Sequence, residues 1–161
     1  MNILPMWITS FTESFNMLEQ FQPLIGSQYV KELVQHINNA KMSIDILMYD
    51  WRWYPDNPQH ALSVLNSAFV RAVQRGVQVR AVVNSRQLVP PLLGVGIKAK
   101  TITSGRVLHS KLILIDGKTL VIGSHNLTRN ACNTNLESSL VVSIPEGEQR
   151  FAQYFENIYV S

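Results

Sequence analysis

Apolar residues alternate along the chain between the spacing of a helix face and short, dense runs. The helical spacing is clearest after Ser27, where Val30, Leu33, Val34 and Ile37 recur on one face. Gly76 marks the end of a second such segment, and Pro145 suits the start of a third. The pattern predicts three helices, over residues 27–41, 60–75 and 145–160.

The short apolar runs predict six strands, over 42–49, 77–84, 98–102, 106–116, 119–123 and 136–144. Prolines predict a loop over 50–59 and a loop or lid over 86–96. Strands and helices alternate in the first half of the chain, and strands cluster in the second. This order favours an α/β fold with a mixed, mostly parallel β-sheet and helices on both of its faces.

The length of 161 residues suits one domain with a core large enough to need no disulfides. We assign residues 1–22, which show no clear period, to an N-terminal arm, and 23–161 to a single domain. No apolar run approaches the ~18 residues of a membrane span. The first residues also lack the basic start of a secretion signal. A cytoplasmic location is the default expectation, although a mature secreted form would look the same.

Charge is unevenly distributed. Residues 71–129 carry a net charge of +9, with Asp116 as their one acid, whereas the net charge of the whole chain is +3. A central basic band suggests a polyanionic partner such as nucleic acid or a phospholipid surface. A solvated helix face with scattered loop charges is the ordinary alternative.

His109 and Lys111 lie side by side on one face of the predicted strand 106–116. Both faces of this strand become apolar towards its end, as in a buried strand. A buried lysine is costly unless an anion compensates its charge. The pattern therefore favours a bound anion next to the imidazole and the ammonium.

Further polar groups follow the next strands. Gly123, Ser124 and Asn126 come directly after a strand, and Glu137 opens the last one. A hydroxyl and an amide at such a turn can donate hydrogen bonds to phosphate oxygens. The sequence shows no carboxylate cluster suited to Mg²⁺ and no His/Cys set suited to zinc, so we expect a phosphodiester site that uses no metal.

Each of these residues has an ordinary structural explanation when it is taken alone. A histidine on a strand is usually a core or rim residue, and Lys111 could extend past the sheet edge to water. Ser124 and Asn126 could be turn formers. The hypothesis of a catalytic site depends on their joint spacing.

That spacing resembles the phospholipase D superfamily. The segment HSKLILID matches the H-x-K-x(4)-D signature, and it is followed by G-S-x-N at Gly123–Asn126 and by N-x-E at Asn135–Glu137. The combined pattern covers about 30 residues, and the rest of the chain fits one repeat of the family. With its single motif, the chain is most similar to the small homodimeric bacterial endonucleases of that superfamily, of which Nuc is the type.

The resemblance implies a role for each residue. His109 is the expected nucleophile that forms a phosphohistidine. Lys111, Ser124 and Asn126 are expected to bind the non-bridging oxygens, and Glu137 is expected to orient His109. Asp116 belongs to the signature but is expected to support local structure rather than touch substrate. No cofactor is implied.

A single motif also implies a homodimer. The mechanism needs two histidines on opposite sides of the phosphorus, and this chain supplies one signature histidine. A two-fold dimer with one composite site on its axis meets that need.

Four other residues are candidates for substrate binding. His125, at the variable position of G-S-x-N, could line the cleft or fill the turn. Bases could stack on Trp51 and Trp53, for which packing against the N-terminal arm is the alternative. Arg129, at the end of the basic band, is the fourth candidate.

The leading functional hypothesis is a metal-independent nuclease acting on DNA or RNA. A lipid-acting phospholipase or phosphatidyltransferase is the first alternative, although those relatives usually carry two motifs and longer chains. A nucleic-acid-binding module that has lost catalysis is the second alternative.

Overall fold

The computed structural model describes residues 21–54, 61–103 and 105–161. Residues 1–20 of the predicted arm and residues 55–59 of the predicted loop 50–59 lie outside these ranges.

A seven-stranded sheet forms the centre of the part of the chain that the structure describes. Its strands are β1 (Phe21–Ile25), β2 (Ser43–Met48), β3 (Gln78–Val83), β4 (Lys98–Thr101), β5 (Lys111–Ile115), β6 (Thr119–Gly123) and β7 (Ser138–Ser143). The helices are α1 (Gln28–Asn39), α2 (Ala61–Gln74), α3 (Val89–Gly94), α4 (Arg129–Asn133) and α5 (Arg150–Tyr159), with a 3₁₀ turn at Arg86–Leu88.

The sheet is mixed, as predicted, but it is not mostly parallel. The strand order is β1-β7-β6-β5-β2-β3-β4. Only β2–β3 and β3–β4 are parallel pairs, and the other four pairs are antiparallel. Parallel neighbours need a crossover, which α2 and α3 provide in the first half of the chain. The tight turn between β5 and β6 permits only an antiparallel pair.

Helices cover both faces of the sheet, as predicted. Ile44 and Ile46 of β2 face a core that includes Leu33 of α1 and Phe69 of α2. Leu47, which points to the other face by strand alternation, belongs to a second core around Phe155 of α5. The sheet edge at which β2 ends and β5 begins therefore lies between two packed layers.

Several boundaries differ from the sequence pattern. Phe21 and Gln22, assigned above to the arm, belong to β1, which pairs with β7 at the edge of the sheet. The predicted loop or lid at 86–96 contains the 3₁₀ turn and α3, because Pro90 and Pro91 occupy the first turn of that helix, where no amide hydrogen is needed. The short helix α4 was not predicted. Gly76 follows α2 with a φ of 88°, as expected of a helix stop.

Within the described ranges, no helix has both the length and the apolar composition needed to cross a membrane.

Candidate active site

His109 lies two residues before β5, because the strand predicted over 106–116 begins only at Lys111, at the end of the sheet where β2 finishes. Tyr49 donates its backbone N–H to the carbonyl of Ser110 at 3.0 Å, which extends the β2–β5 ladder and brings Tyr49 against His109. Their ring centroids are 4.8 Å apart, edge to face. The imidazole is thus held against the aromatic ring on an exposed rim.

Lys111 is the first residue of β5, and its ammonium turns back to the histidine. Lys111 Nζ lies 3.2 Å from His109 Nε2, donates to the His109 carbonyl at 2.9 Å, and lies 4.8 Å from the ring centroid of Tyr49. An ammonium has only hydrogens to offer. Nε2 accepts this hydrogen bond when the imidazole carries its proton on Nδ1.

Asn84, which follows β3, fixes the segment that carries His109. Its side-chain amide donates to the carbonyls of Tyr49 at 2.9 Å and Leu108 at 2.8 Å. Its oxygen accepts from the Leu108 N–H at 3.1 Å. This one side chain ties the ends of β2 and β3 to the residue before the imidazole.

Ser124 and Glu137 meet where β6 ends and β7 begins. The hydroxyl of Ser124 donates to Glu137 Oε2, and Asn135 Nδ2 donates to Glu137 Oε1 at 3.1 Å. Gly123 makes this approach feasible: a Cβ built on it would lie 2.4 Å from the Cα of Ser139, so any side chain would push the strands apart. The glycine of the motif is required by close strand packing.

The strand register brings these two groups of residues together. Leu112 of β5 lies opposite Ile122 of β6, so Lys111 and Gly123 occupy the same end of neighbouring strands. Asn126 joins them through its Oδ1, which accepts from the backbone N–H of Asp50 at 3.2 Å. This bond uses the amide oxygen, so the NH₂ group is the part of the Asn126 side chain that can donate to a ligand.

The charges at this edge influence one another. Burial lowers the pKa of Lys111 below its ordinary 10.5, and the charge of Glu137 opposes that effect. Burial alone would raise the pKa of Glu137, but hydrogen bonds from Ser124 and Asn135, together with nearby positive charge, lower it overall. The site therefore holds an anionic Glu137 behind the donors Ser124 and Lys111.

Glu137 and His109, which we expected to contact each other, bind different partners within residues 21–54, 61–103 and 105–161. The carboxylate binds Ser124 and Asn135, whereas the imidazole contacts Lys111 and Tyr49. Within one chain, Glu137 positions the serine.

His125 is fully buried rather than exposed in the cleft. Its Nδ1 lies 2.8 Å from Ser139 Oγ, its Nε2 lies 3.0 Å from the Gly26 carbonyl, and its ring stacks on Tyr29 with centroids 4.1 Å apart. The alternation of G-S-x-N points this side chain inward, away from Ser124 and Asn126. It fastens β1 and α1 to the motif turn.

The two tryptophans pack into the molecule. Trp51 is 3% exposed, donates its indole N–H to Asn66 at 2.9 Å and packs on Phe69 of α2, while Trp53 contacts Trp51 edge to face. Trp51 therefore has no open face on which a base could stack. Both tryptophan rings pack against the core on its α2 side. Arg129, by contrast, is exposed.

Asp116 lies at the opposite end of β5 from His109. Its carboxylate accepts backbone hydrogen bonds from Lys41, Met42 and Ser43 at 2.7–2.9 Å. These bonds lower its pKa below the ordinary value, although burial acts in the other direction. The acid of the signature anchors the β5–β6 turn to the start of β2.

Sequence patterns missed Tyr49 and Asn84 as parts of the site, whereas Asn135 was already named as part of the N-x-E motif. Tyr49 and Asn84 directly follow β2 and β3, and polar residues at the carboxyl ends of parallel strands commonly reach ligands. That position is the signal that could have identified them.

Across the described ranges, no three His, Cys, Asp or Glu side chains are grouped closely enough to hold a metal ion. Two arginines of the basic band bind other parts of the protein. Arg80 is bound to Asp45 at 2.7 Å and to Glu156 at 2.7 Å, and Arg75 donates to the Ile37 carbonyl at 2.8 Å. These two arginines of the predicted band therefore help to stabilise the fold.

Residues 33–159 match the family model described as "Cardiolipin synthase, PLD-like domain". Human mitochondrial cardiolipin hydrolase is 26% identical over 140 residues, which is 83% of this chain and 52% of that protein. The chain thus spans about half the length of this curated relative.

Two solved structures share the fold. The first is described as a phospholipase D family member, Nuc from Salmonella typhimurium, with a TM-score of 0.71 and 23% identity, covering 87% of this chain and 95% of Nuc. The second is NucT from Helicobacter pylori, with a TM-score of 0.67 and 19% identity, covering 88% of this chain and 96% of NucT. With a family model that matches most of its length and the signature residues gathered at one sheet edge, the chain belongs to the phospholipase D superfamily.

Proposed function

We propose that the protein is a phosphodiesterase that cleaves nucleic acid through a phosphohistidine, at a composite site formed by two copies of the chain. The observation that supports this best is the pairing of His109 Nε2 with Lys111 Nζ at 3.2 Å, on the edge that also carries Ser124 and Asn126. A nucleophile and three anion-binding donors are what an in-line displacement at phosphorus requires.

In the first step, the Nε2 lone pair of His109 attacks phosphorus and an N–P bond forms. The P–O bond to the leaving group breaks on the opposite side. The leaving oxygen takes a proton from the imidazolium of His109 of the second chain, which becomes neutral. Lys111, Ser124 and Asn126 stabilise the charge on the non-bridging oxygens.

In the second step, the neutral imidazole of the second chain takes a proton from water. The water oxygen attacks phosphorus, the N–P bond breaks, and a phosphate monoester leaves. The second-chain histidine thus gives one proton to the leaving oxygen and regains one from water, so that both histidines return to their starting states. We propose that no metal ion takes part, because these side chains supply the nucleophile, the acid and the oxyanion donors.

Exposed apolar residues beside the site support the homodimer. Leu136, next to Glu137, is completely exposed, and Val107, close to His109, is 72% exposed. An apolar surface around half of a two-histidine site suits a second copy that brings the other half. Leu136→Asp should therefore give a monomer without activity, whereas Leu93→Asp, exposed on α3, should remain dimeric and active.

A lipid phosphodiester is the second candidate substrate. The name of the human relative and the description of the family model both refer to cardiolipin. The fold shared with Nuc and NucT, together with exposed Arg106 and Arg129 near the site, favours nucleic acid. The resemblance to single-motif endonucleases points the same way.

An activity panel in EDTA tests the proposal. Single- and double-stranded DNA, RNA and cardiolipin-containing vesicles are incubated with the protein, and products are separated by electrophoresis or chromatography. We expect cleavage of nucleic acid. Release of lipid products alone would establish the lipid candidate, and a strict requirement for added metal would contradict the mechanism.

Two variants identify the catalytic groups. His109→Ala should abolish turnover, and Lys111→Ala should reduce it by about 100-fold or more. His36→Ala, on α1, is the matched control and should retain full activity. Light scattering should give about twice the chain mass of 18.2 kDa, and a concentration-independent single-chain mass would refute the composite site.

A further inference from the structure

A cavity of about 370 Å³ opens beside His109. Arg106, Tyr154 and Asn157 are among its lining residues. Arg106 is exposed, and in the described part of the chain no carboxylate pairs with it. An unneutralised guanidinium next to the nucleophile is suited to a second phosphate.

A second cavity, of about 250 Å³, lies next to Asn126. It is lined by Arg52, Tyr54 and Arg129, with Asp50, whose N–H holds the Asn126 side chain. Arg52 is partly neutralised by Asp50 at 3.1 Å. Arg129 is exposed and, over the described ranges, also lacks an ion-pair partner. Arg129 is therefore the stronger anion-binding group of this cavity.

The two cavities open on opposite faces of the sheet. Leu108, which lines the first, belongs to the core around Phe155 of α5. Arg129 and Asn130, which line the second, belong to α4, whose Cys132 lies in the core on the α1–α2 face. The edge that carries His109 lies between these two faces, so a ligand that reaches both cations passes from one face of the sheet to the other.

From this arrangement we propose that Arg106 and Arg129 bind the phosphates that flank the scissile phosphodiester, so that one strand of nucleic acid crosses the sheet edge from one face to the other. The inference rests on the proposed nuclease function and specifies its substrate as a single strand longer than a dinucleotide. In the two-fold dimer both cavities occur twice around the site, so a substitution changes both copies.

The aromatic residues of the cavities indicate a single strand. Tyr154 is 47% exposed and Tyr54 is 48% exposed, one in each cavity. Unpaired bases can stack on such rings, whereas the bases of a duplex are turned inward. Phosphate contacts from the arginines and stacking on the tyrosines would together select an unpaired strand.

The test compares a thymidine dinucleotide, which has one phosphodiester, with a labelled thymidine pentanucleotide and with the same pentanucleotide embedded in a duplex. We expect kcat/KM on the pentanucleotide to exceed that on the dinucleotide by more than about tenfold, and the duplex to be cleaved at least about tenfold more slowly. Arg106→Ala and Arg129→Ala should each lower kcat/KM on the pentanucleotide by about fivefold. Their losses on bis(p-nitrophenyl) phosphate, a small diester, should be clearly smaller.

Lys118→Ala is the matched control, because it removes an exposed cation at the far end of β5 and β6. Its kcat/KM should equal that of the wild type on both the pentanucleotide and bis(p-nitrophenyl) phosphate. The logarithm of the binding constant for the pentanucleotide should fall linearly with the logarithm of the salt concentration. In each arginine variant this slope should be smaller in magnitude by about 0.7, the value for one phosphate of a single strand. Thermal denaturation verifies that all three variants are folded.

The outcomes separate this inference from the proposed function. If both arginine variants cleave the pentanucleotide and keep the wild-type preference for it over the dinucleotide, the flanking phosphate sites are refuted and the nuclease function is not. The same conclusion follows if Lys118→Ala loses as much kcat/KM as the arginine variants. Equal cleavage of duplex and single strand would overturn the assignment to an unpaired strand. Hydrolysis of lipid but not of any nucleic acid would overturn both proposals.

Discussion

The Asp116 carboxylate should matter for stability and not for chemistry, although it belongs to the signature. It accepts three backbone hydrogen bonds, of which the one from Ser43 is partly buried and the other two are exposed. A bond to a charged group contributes about 1.5–3 kcal/mol, and water replaces the exposed ones in part, which leaves about 2–4 kcal/mol in total.

Alanine at this position also meets a backbone penalty. Asp116 has a φ of 52°, in the left-handed region, where a residue without a short polar side chain costs about 1 kcal/mol more. Asp116→Ala should therefore lower the free energy of unfolding by about 3–5 kcal/mol and Tm by about 10 °C. Asp116→Asn keeps one acceptor and tolerates the same φ, so its loss should be about 1–2 kcal/mol.

The pH dependence follows from the lowered pKa of Asp116. A carboxylate whose folded pKa lies below its unfolded value stabilises the protein fully above the unfolded value, here 3.8, and loses that effect as pH falls through the folded pKa. The stability difference between wild type and Asp116→Asn should thus be constant near neutral pH and shrink below about pH 4.

Thermal denaturation followed by circular dichroism measures the stability, and hydrolysis of bis(p-nitrophenyl) phosphate per folded molecule measures the chemistry. Activity below the transition should be unchanged in both variants. A Tm equal to that of wild type in Asp116→Ala, or lost activity at an unchanged Tm, would refute the structural role.

Three further predictions concern other charged groups. Arg80→Leu leaves the Asp45 carboxylate, which is 6% exposed, without its cation, so urea denaturation should show that the free energy of unfolding falls by about 3–5 kcal/mol. Glu156→Gln, at the exposed end of the same network, should lower it by less than about 1 kcal/mol. Equal losses in the two variants would contradict this prediction. Burial lowers the pKa of His125 below 6.5, so as pH drops from 6.5 the unfolded chain takes up a proton before the folded protein does, and the free energy of unfolding should fall. His125→Gln should make this fall less steep in urea titrations. An unchanged slope would show that His125 is not its cause. Burial also lowers the pKa of Lys111, so kcat should begin to decline below pH 10.5 as pH rises. Lys111→Arg should be slower, but its decline in kcat should occur at higher pH. A decline at the same pH in this variant would assign the titration to another group.

Much of the molecule could be predicted from local sequence patterns. Periodicity located the three long helices and most strands, because side chains at helical or alternating spacing must share a face. The signature also identified His109, Lys111, Ser124 and Asn126, which the structure brings to one sheet edge. Short spacing along adjacent strands carries that information without knowledge of the remaining fold.

Tertiary structure alone decided how distant segments pair. The antiparallel majority of the sheet depends on which strands become neighbours, and that choice reflects packing of whole layers rather than any local period. Likewise, burial turned His125 from a cleft candidate into a link between β1 and the motif turn, and the ion pair with Asp45 removed Arg80 from the basic surface. Residue type states what a side chain can bind, but only its neighbours from distant parts of the chain determine whether that capacity is used inside the protein or offered to a ligand.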